Sequence, residues 1–274
     1  MIKEHARTRR TVRPDPYPVF GYGMFFGDVG LGNLYFVAHV LNLQLAVWRA
    51  YARRMDISLR HDGPVAILTW NDGENRLNAD SLERLNEILD GLEASSGPLA
   101  IVVTGVGKFF SNGLDLARFG ANPAEFTATL EELERTIARL LLFPAYTVAA
   151  LNGHTFAAGA LLSCAFDYRV MREDRGYWCM NEAEIGLALD ERLWSILEHR
   201  LSRATAIVAA TTAKRFSGPD ALAAGIVEAT TSEEALLGHA IDVATQYATL
   251  DRATLSKHKY LAHGEEAKFL GWTN

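Results

Sequence analysis

The sequence has few cysteines, no excess of positive charge and no long unbroken apolar run, and each shortage argues against a class of protein. Its two cysteines, Cys164 and Cys179, lie in apolar stretches, which argues against a disulfide scaffold and predicts buried, reduced thiols in a cytoplasmic protein. A formal net charge of −6 argues against nucleic-acid binding, because that function needs a basic surface to displace counterions from phosphates. What remains is a globular composition, 49% apolar and 22% charged, in a chain long enough to bury a sizeable core.

Residues 1–54 differ in composition from the rest of the chain. A basic, proline-containing start leads into a glycine-rich apolar stretch over residues 19–48. Polar residues interrupt this stretch too often for the about 20 consecutive apolar residues of a membrane-spanning helix, and no signal-peptide cleavage pattern follows it. Residues 34–51 could form an amphipathic helix that packs on a partner, or the whole segment could be an appendage before Met55. We therefore divide the chain into an N-terminal extension without expected membrane contact and a domain over residues 55–274.

From Met55 onward, alternating apolar patterns predict an α/β domain. Asp62-Gly63 lies between two β-rich runs and predicts a hairpin, and leucines at helical spacing after residue 78 predict a helix that Asn78 or Asp80 can cap. The same reasoning predicts further strands at 99–104, 146–151 and 168–171, and further helices at 125–142 and 157–165 and near 190–211, 219–224, 232–248 and 252–262.

Two glycine-bearing turns, residues 105–116 and 151–160, each follow a predicted strand and precede a helix. Glycine permits a tight turn, and the free N–H groups at the start of a helix attract negative charge. Two such turns side by side would direct two backbone donors at one oxygen, which is the layout of an oxyanion hole. Either turn alone could owe its glycines to turn geometry. Neither turn contains a phosphate-binding loop or a Gly-x-Ser-x-Gly nucleophile motif.

Three motifs, in this order and spacing, resemble the crotonase superfamily of enoyl-CoA hydratases and isomerases. They are Phe110-Ser-Asn-Gly-Leu-Asp-Leu116, Asn152-Gly-His-Thr-Phe-Ala-Ala-Gly159 and Asp167-Tyr-Arg-Val170. A further motif, Met180-Asn-Glu-Ala-Glu-Ile-Gly-Leu187, resembles the isomerases of this superfamily. The resemblance runs from about residue 57 to 261 and is strongest to the monofunctional Δ3,Δ2-enoyl-CoA isomerases of plant peroxisomes. It implies a ClpP/crotonase-like spiral of ββα units over about 55–215, a helical trimerisation region over 216–274, and a homotrimer or homohexamer.

The resemblance also implies an active site with a single carboxylate. It places the two oxyanion donors at the backbone N–H groups of Leu114 and Ala158, and the catalytic base at Glu182. Where hydratases carry a second glutamate this sequence has Leu161, so one carboxylate is left to move a proton between C2 and C4 of a 3-enoyl thioester. If this segment is a strand, Glu184 shares a face with Glu182, and only the family register prefers Glu182.

For the coenzyme A part of the substrate, the family positions imply Arg76, Leu77, Asn78, Asn112 and Lys257, although solvated surface charge explains the cations equally well. No metal and no separate cofactor are expected. Asp115 is expected to cap a helix and His154 to be structural. Two departures from the family pattern are Ala158, where glycine is common, and Asn181, where proline is usual.

Three functions stay open at this point. The preferred one is an enoyl-CoA isomerase of fatty-acid metabolism. The second is another crotonase reaction on an acyl-CoA, such as hydration or thioester hydrolysis. The third is a non-catalytic subunit that binds acyl-CoA, or that binds a protein partner through residues 1–54.

Overall fold

The computed structural model of the chain describes residues 57–273. The N-terminal extension and its possible amphipathic helix lie outside the described residues, so these expectations stay predictions. Within residues 57–273, no helix is long and apolar enough to cross a membrane.

The described strands form two sheets. The strands are β1 (Ile57–Asp62), β2 (Val65–Trp70), β3 (Ala100–Gly105), β4 (Phe109–Ser111), β5 (Tyr146–Leu151), β6 (His154–Phe156), β7 (Tyr168–Arg172), β8 (Trp178–Cys179) and β9 (Ala229–Thr231). A six-stranded sheet has the order β1-β2-β3-β5-β7-β9, and a three-stranded sheet has the order β4-β6-β8. The predicted hairpin is confirmed, because β1 pairs antiparallel with β2 from Ile57 opposite Trp70 to Asp62 opposite Val65. The other neighbours in both sheets are parallel.

Ten helices are described between residues 57 and 273. They are α1 (Ala79–Ala94), α2 (Leu116–Ala121), α3 (Pro123–Leu142), α4 (Ala158–Cys164), α5 (Glu182–Ile185), α6 (Glu191–Arg200), α7 (Arg203–Thr212), α8 (Gly218–Ala223), α9 (Glu233–Tyr247) and α10 (Arg252–Phe269).

The order of these elements repeats a ββα unit three times. Strand β3 of the large sheet leads into β4 of the small sheet and then into α2, β5 leads into β6 and α4, and β7 leads into β8 and α5. This repeat is the spiral that the family resemblance implies, and the α/β crotonase-like fold is confirmed. The helical C-terminal region is present too, and it also adds β9 to the large sheet.

Two helix predictions need correction. The single helix predicted near 190–211 is two helices, because Leu201 is extended and the Ser202 side chain caps α7 by accepting a hydrogen bond from the Thr205 N–H. The helix predicted to end near residue 262 continues to Phe269. Gly264 lies within that extension, where its lack of a side chain leaves room for the Tyr260 ring.

Apolar side chains cover both faces of the large sheet. On one face, alternate strand residues such as Val65 and Val102 pack against Leu236, Ala240 and Ala244 of α9. The other residues of the same strands belong to a second core, which includes the apolar faces of α1, α3 and α4. Burial on both faces explains why these parallel strands are almost continuously apolar in sequence.

Candidate active site

A cavity of about 390 Å³ lies between the starts of α4 and α5 and the helices α2, α3 and α6. Its wall is mainly apolar, with Leu116, Phe126, Leu130, Leu133, Leu161 and Leu193 among the lining residues. Its polar lining side chains are Arg76, Asn112, Asn181, Glu182 and Asp190. A mostly apolar pocket with a few convergent polar groups is the usual form of a small-molecule site.

The two glycine-bearing turns meet at this cavity. Strand β4 lies within the first turn segment and β6 within the second, and the two strands are parallel neighbours in the small sheet. At Gly113 the backbone has φ +76°, and a Cβ built there would lie 3.0 Å from the Ala157 Cβ and 3.4 Å from the Ala158 nitrogen. Leu114 and Ala158 both line the cavity. In the described part of the chain, neither of their N–H groups donates a hydrogen bond, so both are available to a ligand.

Backbone hydrogen bonds hold the first turn in place. Leu77 donates its N–H to the Gly113 carbonyl at 2.8 Å, and Asp115 donates its N–H to the Leu77 carbonyl at 2.9 Å. These bonds fix the residues on both sides of Leu114 and leave its own N–H unused. Leu77, predicted as part of the coenzyme A site, is thus a fully buried brace of the turn.

Two asparagines that the sequence analysis did not assign support the same turn. Asn75 is buried in a left-handed conformation and donates to the carbonyls of Phe109 and Phe110 at 2.9 and 3.2 Å. Asn152 accepts a hydrogen bond from the Gly105 N–H at 2.8 Å. Asn75 closely follows the turn pair Asp72-Gly73. Asparagine tolerates a positive φ, so an asparagine just after such a turn is the sequence signal that could have identified this position.

Glu182 is the first residue of α5, and its side chain is only 5% exposed. Its Oε2 atom has no hydrogen-bond partner among the described residues. Burial raises the pKa of Glu182 to about 7, while a hydrogen bond involving its own backbone acts in the opposite direction. A carboxyl group with this pKa can take up and release a proton near neutral pH.

The strand placement considered for Glu182 and Glu184 is wrong. Both residues lie in the one-turn helix α5, where residues two apart point in different directions. Glu184 is exposed, does not line the cavity, and forms an ion pair with Arg215 at 2.9 Å. The geometry therefore separates the two carboxylates and places only Glu182 of this pair at the cavity.

No second free carboxylate accompanies Glu182 among the described lining residues. Leu161 on α4 is 1% exposed and contributes an apolar side chain to the wall. Asp190 also lines the cavity, but it is exposed and its Oδ1 accepts the Leu193 N–H at 2.9 Å as the cap of α6. The described residues also contain no cluster of three or more ligating side chains that could hold a metal ion.

The sequence model of the enoyl-CoA hydratase/isomerase family matches residues 61–265 of this chain. The chain belongs to this family. It is 33% identical over 180 residues to the peroxisomal enoyl-CoA delta isomerase 2 of Arabidopsis thaliana, covering 62% of this chain and 75% of the relative. It is 29% identical over 204 residues to a probable enoyl-CoA hydratase of Bacillus subtilis, covering 73% of this chain and 79% of the relative.

Solved structures support the same family. The structure of a probable enoyl-CoA hydratase from Mycobacterium tuberculosis aligns with a TM-score of 0.74 at 26% identity, covering 79% of this chain and 92% of that one. A second structure of the same Mycobacterium tuberculosis protein, described there as an enoyl-CoA isomerase, aligns with a TM-score of 0.73 at 28% identity, covering 79% and 94%. Hydratases and isomerases thus both occur among the similar proteins, and the choice between the two reactions depends on the residues of this site.

Two of the residues predicted to bind coenzyme A, Arg76 and Asn112, line the cavity. Arg76 pairs with Glu74 at 2.5 Å and donates to the Leu114 carbonyl at 3.3 Å. Asn112 donates to the same Glu74 at 3.1 Å, and this hydrogen bond is the main reason that the pKa of Glu74 is lowered. Glu74, which the sequence analysis did not single out, therefore fixes both side chains.

Of the other three predicted coenzyme A contacts, Leu77 braces the first turn, and Asn78 and Lys257 also lie apart from the cavity wall. Asn78 caps α1, and its side chain and that of Ser81 exchange hydrogen bonds with each other's backbone. Lys257 is exposed on α10 and does not line the cavity of its own chain. Its role in binding coenzyme A stays a prediction.

Asp115 and His154 have the placements expected of structural residues. Asp115 caps α2, with its carboxylate accepting the Arg118 N–H at 3.4 Å. His154 lies on β6, outside the cavity lining, between the rings of Phe109 and Phe156. Burial lowers the pKa of His154, which favours the neutral ring.

Proposed function

We propose that the protein is an enoyl-CoA isomerase that converts a 3-enoyl thioester to the conjugated 2-trans-enoyl thioester, with Glu182 as its single base. The observation that carries this proposal is one buried carboxylate, with no partner for its Oε2 atom among the described residues, at an apolar cavity that the unused N–H groups of Leu114 and Ala158 also adjoin. Leu161 supports isomerisation over hydration, because its side chain cannot help to hold and activate a water molecule.

The proposed reaction needs two proton transfers and one oxyanion. The thioester oxygen accepts hydrogen bonds from the N–H groups of Leu114 and Ala158. Glu182 removes a proton from C2, and the electron pair of that bond delocalises into the carbonyl to give an enolate. The neutral Glu182 then returns the proton to C4, so that the double bond moves from C3–C4 to C2–C3.

Each element of the site contributes at one step. Backbone donors aimed at a developing oxyanion contribute about 3 kcal/mol each to transition-state stabilisation. The apolar cavity keeps water away from the enolate and raises the pKa of Glu182 to a value that suits both transfers. No cofactor enters this scheme, because the carboxyl group holds the proton between the two steps. Arg76 and Asn112 are the proposed contacts for the coenzyme A part of the substrate.

Purified protein incubated with 3-hexenoyl-CoA tests this proposal. We expect conjugated 2-hexenoyl-CoA to form, and the Glu182→Gln variant to lose about 10²- to 10⁴-fold in kcat, the usual contribution of a general base. Glu184→Gln is the matched control and should retain activity, because Glu184 points away from the cavity. If 3-hydroxyhexanoyl-CoA were the main product, the protein would be a hydratase. Binding without turnover would indicate a non-catalytic subunit.

A further inference from the structure

Asn181 occupies the cap position of α5 but does not cap the helix. An asparagine at this position usually accepts a hydrogen bond from a backbone N–H of the first turn. The Asn181 carboxamide makes no hydrogen bond to any residue between 57 and 273, and its Oδ1 atom is buried. Asn181 also lines the cavity, next to Glu182. Its side chain is therefore a polar group that the fold itself does not use.

The other polar side chains at the cavity are already engaged. Arg76 and Asn112 bind Glu74, and Asp190 caps α6. Among the lining residues, buried side-chain oxygens without a partner occur at two places, Asn181 Oδ1 and Glu182 Oε2. The proposed isomerisation uses the Glu182 carboxylate and leaves the Asn181 carboxamide unoccupied.

A purely hydrocarbon acyl chain would bind beside Asn181 without satisfying it. Asn181 is partly exposed, so a hydrocarbon chain that covers it takes the rest of its carboxamide from water without providing a hydrogen bond, which is unfavourable. A hydroxyl group on the chain removes this penalty. Because a hydroxyl both donates and accepts, it matches the oxygen or the nitrogen of the carboxamide.

We propose that Asn181 is a specificity-determining residue that binds a hydroxyl group on the acyl chain of the thioester ligand. The proposal rests on the proposed function in that the cavity is taken to hold an acyl thioester. Proline, which the family pattern has at this position, offers no side-chain hydrogen bond. The chain therefore combines a single-base site with selection of a hydroxylated acyl group.

Binding calorimetry on the full chain tests this inference with saturated ligands that cannot isomerise. Hexanoyl-CoA is compared with its 3-hydroxy, 4-hydroxy and 5-hydroxy counterparts. We expect at least one hydroxylated ligand to bind about 5- to 100-fold more tightly than hexanoyl-CoA, the effect of one hydrogen bond to a buried polar group. Asn181→Leu, which is similar in size, should abolish the difference. Gln246→Leu, exposed on α9, is the control and should retain it.

Two results would overturn the inference. One is equal affinity of the unmodified protein for hexanoyl-CoA and all three hydroxylated ligands. The other is a preference that survives in Asn181→Leu, which would assign hydroxyl recognition to another group. The outcome is separable from that of the proposed function, because a hydroxyl preference that depends on Asn181 but is unaccompanied by conversion of 3-hexenoyl-CoA would contradict the isomerase proposal alone.

Discussion

Glu182 is a buried carboxyl group whose charged form is required for the first proton transfer of the proposed reaction. Because burial raises its pKa to about 7, a large fraction of the free protein holds it in the neutral form at and below that pH. We predict that kcat/KM for 3-hexenoyl-CoA rises about tenfold per pH unit below pH 7 and levels off above it. A profile that levels off already above about pH 5 would show that the base is a carboxylate with an ordinary pKa.

The same burial makes Glu182 unfavourable for stability. The folded state retains the proton up to a pH of about 7, whereas the unfolded chain releases it near the ordinary value of 4.5. The unfolded state therefore binds fewer protons over this interval, and stability falls as the pH rises from 4.5 to 7. Above pH 7 we expect Glu182→Gln to raise the free energy of unfolding by up to about 3 kcal/mol.

Chemical denaturation at several pH values measures this difference. The gain of Glu182→Gln should shrink as the pH falls through 7 and disappear below 4.5, where both side chains are neutral. A gain that is constant with pH would trace the effect to packing rather than to the charge of Glu182.

The start of helix α4 contains a strained residue. Ala157, which precedes the helix, has φ +51° and ψ −123°, a conformation that favours glycine. Strain of this kind lowers stability by about 1–3 kcal/mol. Replacing alanine by glycine relieves the strain but lowers stability by about 0.4–1 kcal/mol, because the unfolded chain gains conformational freedom. We predict that Ala157→Gly stabilises the protein by about 1 kcal/mol in thermal unfolding. Ala262→Gly, exposed within α10, should instead destabilise it by about as much.

The long elements of the fold could be predicted from the sequence, and the short ones could not. The strand over residues 146–151 is a continuous apolar run, and the helix ending at Leu142 has an apolar pattern long enough to show a period. Strands β4, β6 and β8 are two or three residues long and have no measurable period. The four-residue helix α5 is also too short to show a period, so the sequence leaves open a strand, which would place Glu182 and Glu184 on one face.

The site could be predicted only in part, for a related reason. Glycines mark the two turns, so the Leu114 and Ala158 donors have a signal in the local sequence. The isolation of Glu182 from other carboxylates depends on contacts between residues far apart in the chain. The unused carboxamide of Asn181 likewise becomes visible only when its hydrogen-bond partners can be searched for in three dimensions.

At the scale of the whole molecule, the C-terminal region completes the core of the spiral. Ala240 of α9 is fully buried against the large sheet, so a charge at this position would be enclosed without a partner. We predict that Ala240→Glu lowers the free energy of unfolding by about 3 kcal/mol or more, or prevents folding. Gln246→Glu on the same helix is exposed and should change it by less than about 0.5 kcal/mol. Equal effects of the two substitutions in denaturant unfolding would contradict this packing.

The central claim is that one carboxyl group carries the same proton from C2 to C4 inside a cavity that excludes water. It is tested most directly by converting 3-hexenoyl-CoA deuterated at C2 in ordinary water and locating the label in the product by mass spectrometry and NMR. The account predicts that a substantial part of the transferred deuterium appears at C4 of 2-hexenoyl-CoA, and that Glu182→Gln abolishes this transfer. Product with only hydrogen added at C4 would show that the proton exchanges with solvent or that a second group delivers it, and either result would contradict the claim that Glu182 carries the same proton in a cavity that excludes water.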